Sequence, residues 1–479
     1  MTRTEKKRGF ASTVSERREL ILHGNSFKVL WMLSIPTLMM AAVSALIPLS
    51  DGLFLNNSAG HVVAGAVGYS QPVIQMVNAL SLGLGTAAMA ILGQLNGMGD
   101  MKGIRHFSTQ MMVFSTFLGM VLAPVMVLAA FVLSSRMDPQ LSPLVFTYLS
   151  LYATVIPFLF LAAIYNSFKN ATGQPEATFY RMIILLILKI VFNALFLYVL
   201  RWGIVGAVMA SLASYIIIAL WMYYDMFVKE GELKLSLKGY RYDKVAIYKL
   251  VRLGIPTMIS SFMMNLGFFL INQEVVAFGP VALNAQTIAS NINAMEFTLP
   301  SSIGTTITTM VSVNIAAGRE KNARKIFFQG CLLTLILCLI MIGIFIPLSP
   351  TLVQLFLKNP TMSPAVKKEI FSIAVPAMNI YSASVIGFGI FMAVQGAFVG
   401  LANTRAPLIA GVLRIWILRY IFILFTKKTL GIFSIFWGNL FSNVVAAIIF
   451  FIWIMNVDWS HQGLIRSAGS NIEETTSKK

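Results

Sequence analysis

"KVLWMLSIPT" (residues 28–37) returns as "KLVRLGIPT" at residues 249–257, and this repeat decides the fold. Pro36 falls on Pro256, about 220 positions on. A second match keeps nearly the same offset. "NGMGDMKGIRHF" (96–107) and "IAAGREKNARKIF" (315–327) set Gly99 on Gly318, Lys102 on Lys321 and Arg105 on Arg324. "GIVGAVMASLAS" (203–214) likewise lines up with "GIFSIFWGNLFS" (431–442). Generic likeness between apolar segments would not align prolines, glycines and loop bases together, so the chain holds two copies of one unit.

What lies between the matches is apolar. Of 479 residues 57% are hydrophobic and only 11% charged, with a mean hydropathy of +0.78. Soluble domains carry about a quarter charged residues. Apolar runs of about twenty residues recur throughout, which makes lipid the solvent. Lipid admits only helices and closed barrels, and these runs do not alternate, so they are helices. Twelve are expected: 29–53, 62–94, 106–135, 143–168, 177–200, 203–228, 247–277, 282–315, 322–348, 366–398, 406–426 and 431–456. Each copy therefore has six crossings. An even number makes both copies enter the membrane the same way, related by an axis along its normal. The expected fold is an all-α integral membrane protein: twelve transmembrane helices in two pseudo-symmetric six-helix lobes around a central cavity. The expected domains are a tail (1–27), a first lobe (28–228), a connector (229–246), a second lobe (247–456) and a second tail (457–479).

The net charge is +18. On a soluble protein that would suggest nucleic acid. Here the bases sit in short loops and tails, where they orient helices, and no nucleic-acid partner is expected. Loops after the even segments hold Lys102 and Arg105, Lys169 and Arg181, the run from Lys229 to Arg252, Arg319 to Lys325, and Arg405. Loops after the odd segments are poorer: Arg136, Arg201, Lys358 with Lys367 and Lys368, and Lys427 with Lys428. The bias puts both termini in the cytoplasm of a multi-pass cell-membrane protein. The basic leader has no cleavage site in signal-peptide range and reads as a retained tail.

Several chemistries find no support. Cys331 and Cys338 lie seven positions apart on one expected helix, about 10.5 Å along its axis, too far to bridge; they read as lipid-facing or core residues. His23, His61, His106 and His461 are expected in the leader, loops and tail, forming no metal cluster. No phosphate-binding glycine loop appears, so ATP does not drive the chain directly. No nucleophile–base set supports an embedded enzyme.

The pattern resembles the multidrug and toxic compound extrusion (MATE) family over about residues 25–455. The likeness rests on "LSIPT…DGLFLNNSAGHVVAGAVGYSQPV", on "NGMGD", on the half-repeat "LGIPT…FGPVALNAQTIASNINAMEFTLPSSIGTTITTMVSVNIAAG", and on "GAFVGLANTRAPL" (396–408). It implies a cavity that opens alternately to each side and export driven by H⁺ or Na⁺, with no cofactor. The superfamily also holds flippases for lipid-linked envelope precursors, which fold alone does not exclude.

Asp51, in "ALIPLSDGLFLNN" (45–57), falls on the family's first-helix aspartate. An ionisable group within a membrane helix is rare and functional by default; the other reading is an interfacial aspartate near the helix end. Asn193 falls on the family's fifth-helix asparagine, but the aspartate many members carry four residues on is here Leu197. Asn166 and Ser211 lie where the family offers polar groups to this lobe. Proton or cation coupling is thus expected at Asp51, Asn166, Asn193 and Ser211, with interhelical hydrogen bonding the alternative. In the second lobe, Na⁺-binding members use a seventh-helix glutamate and a tenth-helix aspartate. Met264 and Phe388 stand there, so no such site is expected. Lys189, Glu296 and Arg414 are expected to face the cavity as a set, or to pair structurally between the lobes. Gln75, Asn78, Gln286, Asn291 and Gln395, with Asn293 and Asn379, add polar points to a wet cavity. The 27 methionines and 12% aromatics suit promiscuous apolar ligands or simply face lipid.

The expected function is a secondary active exporter of amphipathic organic compounds, H⁺ favoured over Na⁺, acting as a monomer in the bilayer. The alternative is a lipid-precursor flippase, which needs a strongly cationic cavity; Lys189 and Arg414 supply only part of one, and Arg419 lies toward the outer end.

Overall fold

The computed structural model describes residues 13–58, 60–135, 142–357 and 363–460. Residues 1–12, Arg136, Lys358, and most of the second tail from His461 on lie outside the described residues.

Thirteen helices follow one another: α1 (Val14–His23), α2 (Ser26–Ser58), α3 (Gly60–Met98), α4 (Met101–Ser134), α5 (Ser142–Ala171), α6 (Pro175–Val199), α7 (Gly203–Val228), α8 (Lys244–Val276), α9 (Pro280–Ala316), α10 (Glu320–Phe356), α11 (Pro364–Gly400), α12 (Arg405–Leu430) and α13 (Phe433–Asn456). Helices α2–α7 form one six-helix lobe and α8–α13 the other. The twelve expected segments all appear, most of them extended by a turn. Among the described residues eleven helices are long and apolar enough to cross a membrane. The exception is α9, and its surroundings explain it. It packs on α2, α3 and α11, so its polar groups meet protein rather than lipid. The Thr308 hydroxyl, for example, donates to the Gly396 carbonyl at 2.8 Å. His61 lies in the first turn of α3 and His106 in the second turn of α4 rather than in loops.

The repeat survives as geometry. Gly99 (φ 74°) and Gly318 (φ 71°) turn the chain after the second helix of each lobe, and Gly203 (φ 54°) and Gly431 (φ 56°) do so before the sixth. Each matched pair shares a left-handed conformation that side chains other than glycine resist.

The two proline-flanked threonines seal the lobes together. Thr257 on α8 donates its hydroxyl to the Gly83 carbonyl of α3 at 2.7 Å. Thr37 on α2 shares a hydrogen bond with Thr306 of α9 at 3.3 Å. Each first helix thus reaches the second helix of the opposite lobe. Further along α3, Gly93 and Gly97 let the backbone close on Ser312 and Val313 of α9. A void of about 10 Å³, lined by Leu33, Thr37, Asn170 and Thr305 among others, lies in the seam. All these contacts lie in the half of the bundle nearest the described chain ends.

The leader holds more than a tail. Thr13 and Glu16 form a capping box that starts α1, as such a pair does where it satisfies free amides. Arg17, buried, pairs with Glu176 of α6 at 2.5 Å and donates to the Gly173 carbonyl at 2.6 Å. Arg18 donates to the Gly97 carbonyl at 3.0 Å. From the other lobe, Arg319 donates to the Leu22 carbonyl at 2.5 Å and Asn322 accepts from Ser26, at the start of α2, at 2.9 Å. Helix α1 therefore straps both lobes at their sealed end. The connector is pinned nearby: Asp243 caps α8 and bonds His106 at 2.8 Å, which holds its carboxyl below the usual range.

Candidate functional site

Lys189, Asn193 and Leu197 recur at i, i+4 and i+8 on α6, so they share one face. That face meets α2. The Lys189 ammonium forms an ion pair with Asp51 Oδ2, and Asn193 Nδ2 donates to Asp51 Oδ1 at 2.8 Å. The Asp51 side chain is 29% exposed and that of Lys189 only 7%. The aspartate of the N-lobe is therefore held by a built-in cation. Leu197, at the position of the missing second aspartate, is buried one turn further on. There α6 loosens into π-turns over Ala194–Val199, a feature common at functional sites. Tyr148, Tyr152 and Tyr215 stand within electrostatic reach of Asp51 and line the same interior.

Two expected members of this site find other hydrogen-bond partners. Asn166 accepts a hydrogen bond from Arg181 Nε at 3.0 Å. Arg181 precedes Lys189 by eight residues, about 12 Å of helical rise, which places Asn166 toward the sealed end. Ser211 spends its hydroxyl on the Ala207 carbonyl of its own helix, 3.2 Å away. Below them lies a cluster the sequence analysis did not single out. Tyr165 donates to Asp225 at 2.9 Å, and Lys169 pairs with the same carboxylate at 2.6 Å. Asp225 was visible as an acid closing an apolar run, the signal that singled out Asp51.

The expected trio of Lys189, Glu296 and Arg414 does not assemble, because Lys189 is taken by Asp51. Glu296 is fully buried and accepts from Asn293 at 3.1 Å and from Ser382 at 2.7 Å. Arg414 donates to Asn443 Oδ1 at 2.8 Å and to Met264 Sδ at 3.6 Å, and lies over the rings of Phe388 and Phe391. The two positions where a cation site was not expected thus both touch a cation. Helix α11 explains the separation. Tyr381, Ser384, Phe388 and Phe391 follow a spacing of three and four and share one face. Ser382 points from the opposite side, and Glu296 meets α11 there.

The other polar points vary. Gln286 accepts from the Tyr381 hydroxyl at 2.8 Å. Gln395 Nε2 and Asn379 Oδ1 are buried without a hydrogen-bond partner. Gln75 and Asn291 are exposed and Asn78 half-buried. Cys331 and Cys338 are free and buried, so they are core residues. Among the described residues no group of His, Cys, Asp and Glu could hold a metal ion.

The MatE family model matches residues 36–195 and 256–425, two stretches that open on the repeated prolines. The chain belongs to the MatE family. It resembles a probable multidrug resistance protein of Bacillus subtilis, YpnP, with 26% identity over 62% of this chain and 67% of that protein. It also resembles the probable multidrug resistance protein NorM of Thermotoga maritima, with 21% identity over 91% of this chain and 94% of that one. A multidrug resistance MATE family transporter of the MOP superfamily, solved in an outward-facing conformation, superposes with a TM-score of 0.84 at 22% identity, covering 90% of this chain and 96% of its own. This MatE protein is a multi-pass membrane transporter and not an enzyme. Transport in the family rests on ion coupling rather than on a bound cofactor.

Proposed function

We propose that this MatE protein exports small amphipathic organic compounds by alternating access, as a monomer with both termini in the cytoplasm, in exchange for H⁺ rather than Na⁺. The observation that carries this reading is the Asp51–Lys189–Asn193 cluster between α2 and α6. One carboxylate oxygen faces an ammonium and the other an amide donor. A sodium ion would need several converging oxygens, and Lys189 already supplies the positive charge that Na⁺ would bring. A proton can compete for the carboxylate without needing a cage. Protonating Asp51 detaches Lys189 and leaves a net positive charge between the helices. That charge drives α2 to repack, with Pro36 as its hinge, and repels cationic parts of a bound compound. The seal between Thr37, Thr306, Thr257 and Gly83 supports a state closed on the cytoplasmic side. The flippase alternative loses the Lys189 cation it needed, since Asp51 neutralises it.

Dye efflux from proteoliposomes tests the proposal. A pH gradient alone is expected to drive efflux, a Na⁺ gradient alone is not, and Asp51→Asn is expected to abolish the pH-driven component. Wild-type efflux by Asp51→Asn would overturn the coupling scheme.

A further inference from the structure

The second lobe holds two buried cations that no carboxylate among the described residues balances. Helix α12 leaves α-geometry over Leu413–Tyr420 and runs as π-turns. Hydrogen bonds there span five residues, so positions five apart fall one turn apart on the same side. Arg414 and Arg419 are five apart. Arg414 is 2% exposed and Arg419 5%, and the two guanidinium groups are close enough to repel one another. An ordinary α-turn would have splayed them.

Among the described residues neither arginine has an acid to answer it. The mid-helix carboxylates of this lobe are spent elsewhere. Glu274 pairs with Lys427 at 3.1 Å and accepts from Tyr420 at 3.4 Å; Glu296 is satisfied on the far face of α11. Instead, aromatic faces surround the cations. Arg414 lies 4.9 Å from the Phe391 ring centre and 5.3 Å from that of Phe388, and Arg419 lies 5.6 Å from that of Phe268. Ring faces attract cations, Asn443 and Met264 take the Nη groups of Arg414, and the Tyr381 hydroxyl meets Arg419. The Nε of Arg414 and the Nε of Arg419 are still both buried with no hydrogen-bond partner. Leaving such donors unmade is costly, and a planar N–H edge of this kind fits a carboxylate or phosphate.

We propose that Arg414 and Arg419 form an anion-binding site in the second lobe, which receives the carboxylate or phosphate group of an amphipathic ligand while Phe268, Phe388 and Phe391 take its apolar part. That the ligand is transported cargo rests on the transporter reading above; the site itself does not. Cargo would then be anionic or zwitterionic, its negative end in the lobe opposite Asp51.

Equilibrium binding tests this without any ion gradient. Calorimetric titration of the full chain in maltoside micelles would compare decanoate, decyl phosphate and decyltrimethylammonium, which share one chain. The two anions are expected to bind at least tenfold tighter than the cation. Arg414→Gln and Arg419→Gln are each expected to erase that preference. Arg414→Lys and Arg419→Lys keep the charge and the fold but lose the planar fork, and are expected to weaken decyl phosphate about threefold while leaving the cation unmoved. Displacement of decyl phosphate by phosphatidylglycerol, but not by inorganic phosphate, would assign the anion to a lipid headgroup; displacement by inorganic phosphate would assign it to a free anion; both keep the site. Equal binding of anions and cation by the wild type, or a preference untouched in all four variants, would overturn it. Failure here leaves coupling at Asp51 standing, and failure of the efflux assay leaves this site standing.

Discussion

Gly83→Ala isolates the seal between the lobes. A Cβ at position 83 would lie 2.6 Å from both the Cα and the amide nitrogen of Met258 and 2.8 Å from the Thr257 carbonyl carbon. These are backbone atoms of α8, so no side chain can swing aside. An ordinary contact begins at 3.4 Å, so α3 and α8 must part by roughly 0.8 Å. That also stretches the 2.7 Å bond from Thr257 to the Gly83 carbonyl. Overpacking of this kind costs about 1–3 kcal/mol. The cost falls only on the conformation in which the lobes meet here, so the equilibrium should move about 5- to 150-fold toward the opposite one. Spin labels at Lys102→Cys and Lys321→Cys, repeat-related and exposed, would report the opening in a background with Cys331 and Cys338 replaced by alanine. The expected result is a second, longer distance population in Gly83→Ala. Gly343→Ala, whose Cβ meets nothing within 4 Å, is the control. A distance distribution in Gly83→Ala matching both the control and the wild type would refute the idea that these glycine–threonine contacts hold the closed end.

Two more outcomes follow from the charges. Removing one member of a buried ion pair costs about 3–5 kcal/mol, and the 29% exposure of Asp51 pulls the value to the lower end. Asp51→Asn alone should therefore lower the thermal unfolding temperature, and the double variant Asp51→Asn, Lys189→Met should recover most of it; a double variant less stable than either single one would show that the two groups do not answer each other. At the strap, Arg17→Ala strands the half-buried Glu176 and the Gly173 carbonyl, a loss of at most about 3 kcal/mol by the same reasoning. Trypsin is then expected to cut at Arg18 in the variant faster than in the wild type, and equal cleavage rates would show that α1 does not depend on this contact.

The architecture was legible because its cause is periodic. Lipid forces apolar runs of a fixed length, and the repeat ties them into halves, so Pro36 and Pro256 located the lobes before any coordinate did. Side-chain pairing was less legible. Lys189 was seen as a cavity cation because sequence gives its helix but not its rotation. Only the i, i+4 spacing to Asn193 shows that whatever holds Asn193 on Asp51 must also bring Lys189 there. Asn166 failed for a matter of depth: five residues from the end of α5, it could not reach an aspartate near the far end of α2. The π-turns in α6 and α12 left no sequence signal, and they set which way Arg414 and Arg419 point.

The two lobes share a fold yet have opposite charge logic, and a few side chains set it. In the first lobe Leu197 withholds a second acid and Lys189 adds a base, so Asp51 is neutralised within the protein. In the second lobe Met264 and Phe388 withhold acids while Arg414 and Arg419 add bases, and nothing neutralises them. A rocking transporter must bring both interiors to the same central space in turn. If the lobes rock and a proton couples at Asp51 as proposed, the cargo meets one side whose charge is released only when a proton arrives and another whose charge stands open from the start. A compound with a negative group and an apolar body satisfies the second without a proton. The same proton at Asp51 adds positive charge on the opposite side; it repels the cationic end of a zwitterion, as exchange requires, but would hold a purely anionic cargo more tightly, so H⁺ exchange and this site together select a zwitterionic cargo. Measuring whether acidification tightens or weakens binding of decyl phosphate relative to decyltrimethylammonium thus separates symport-like from antiport-like coupling in a single titration series.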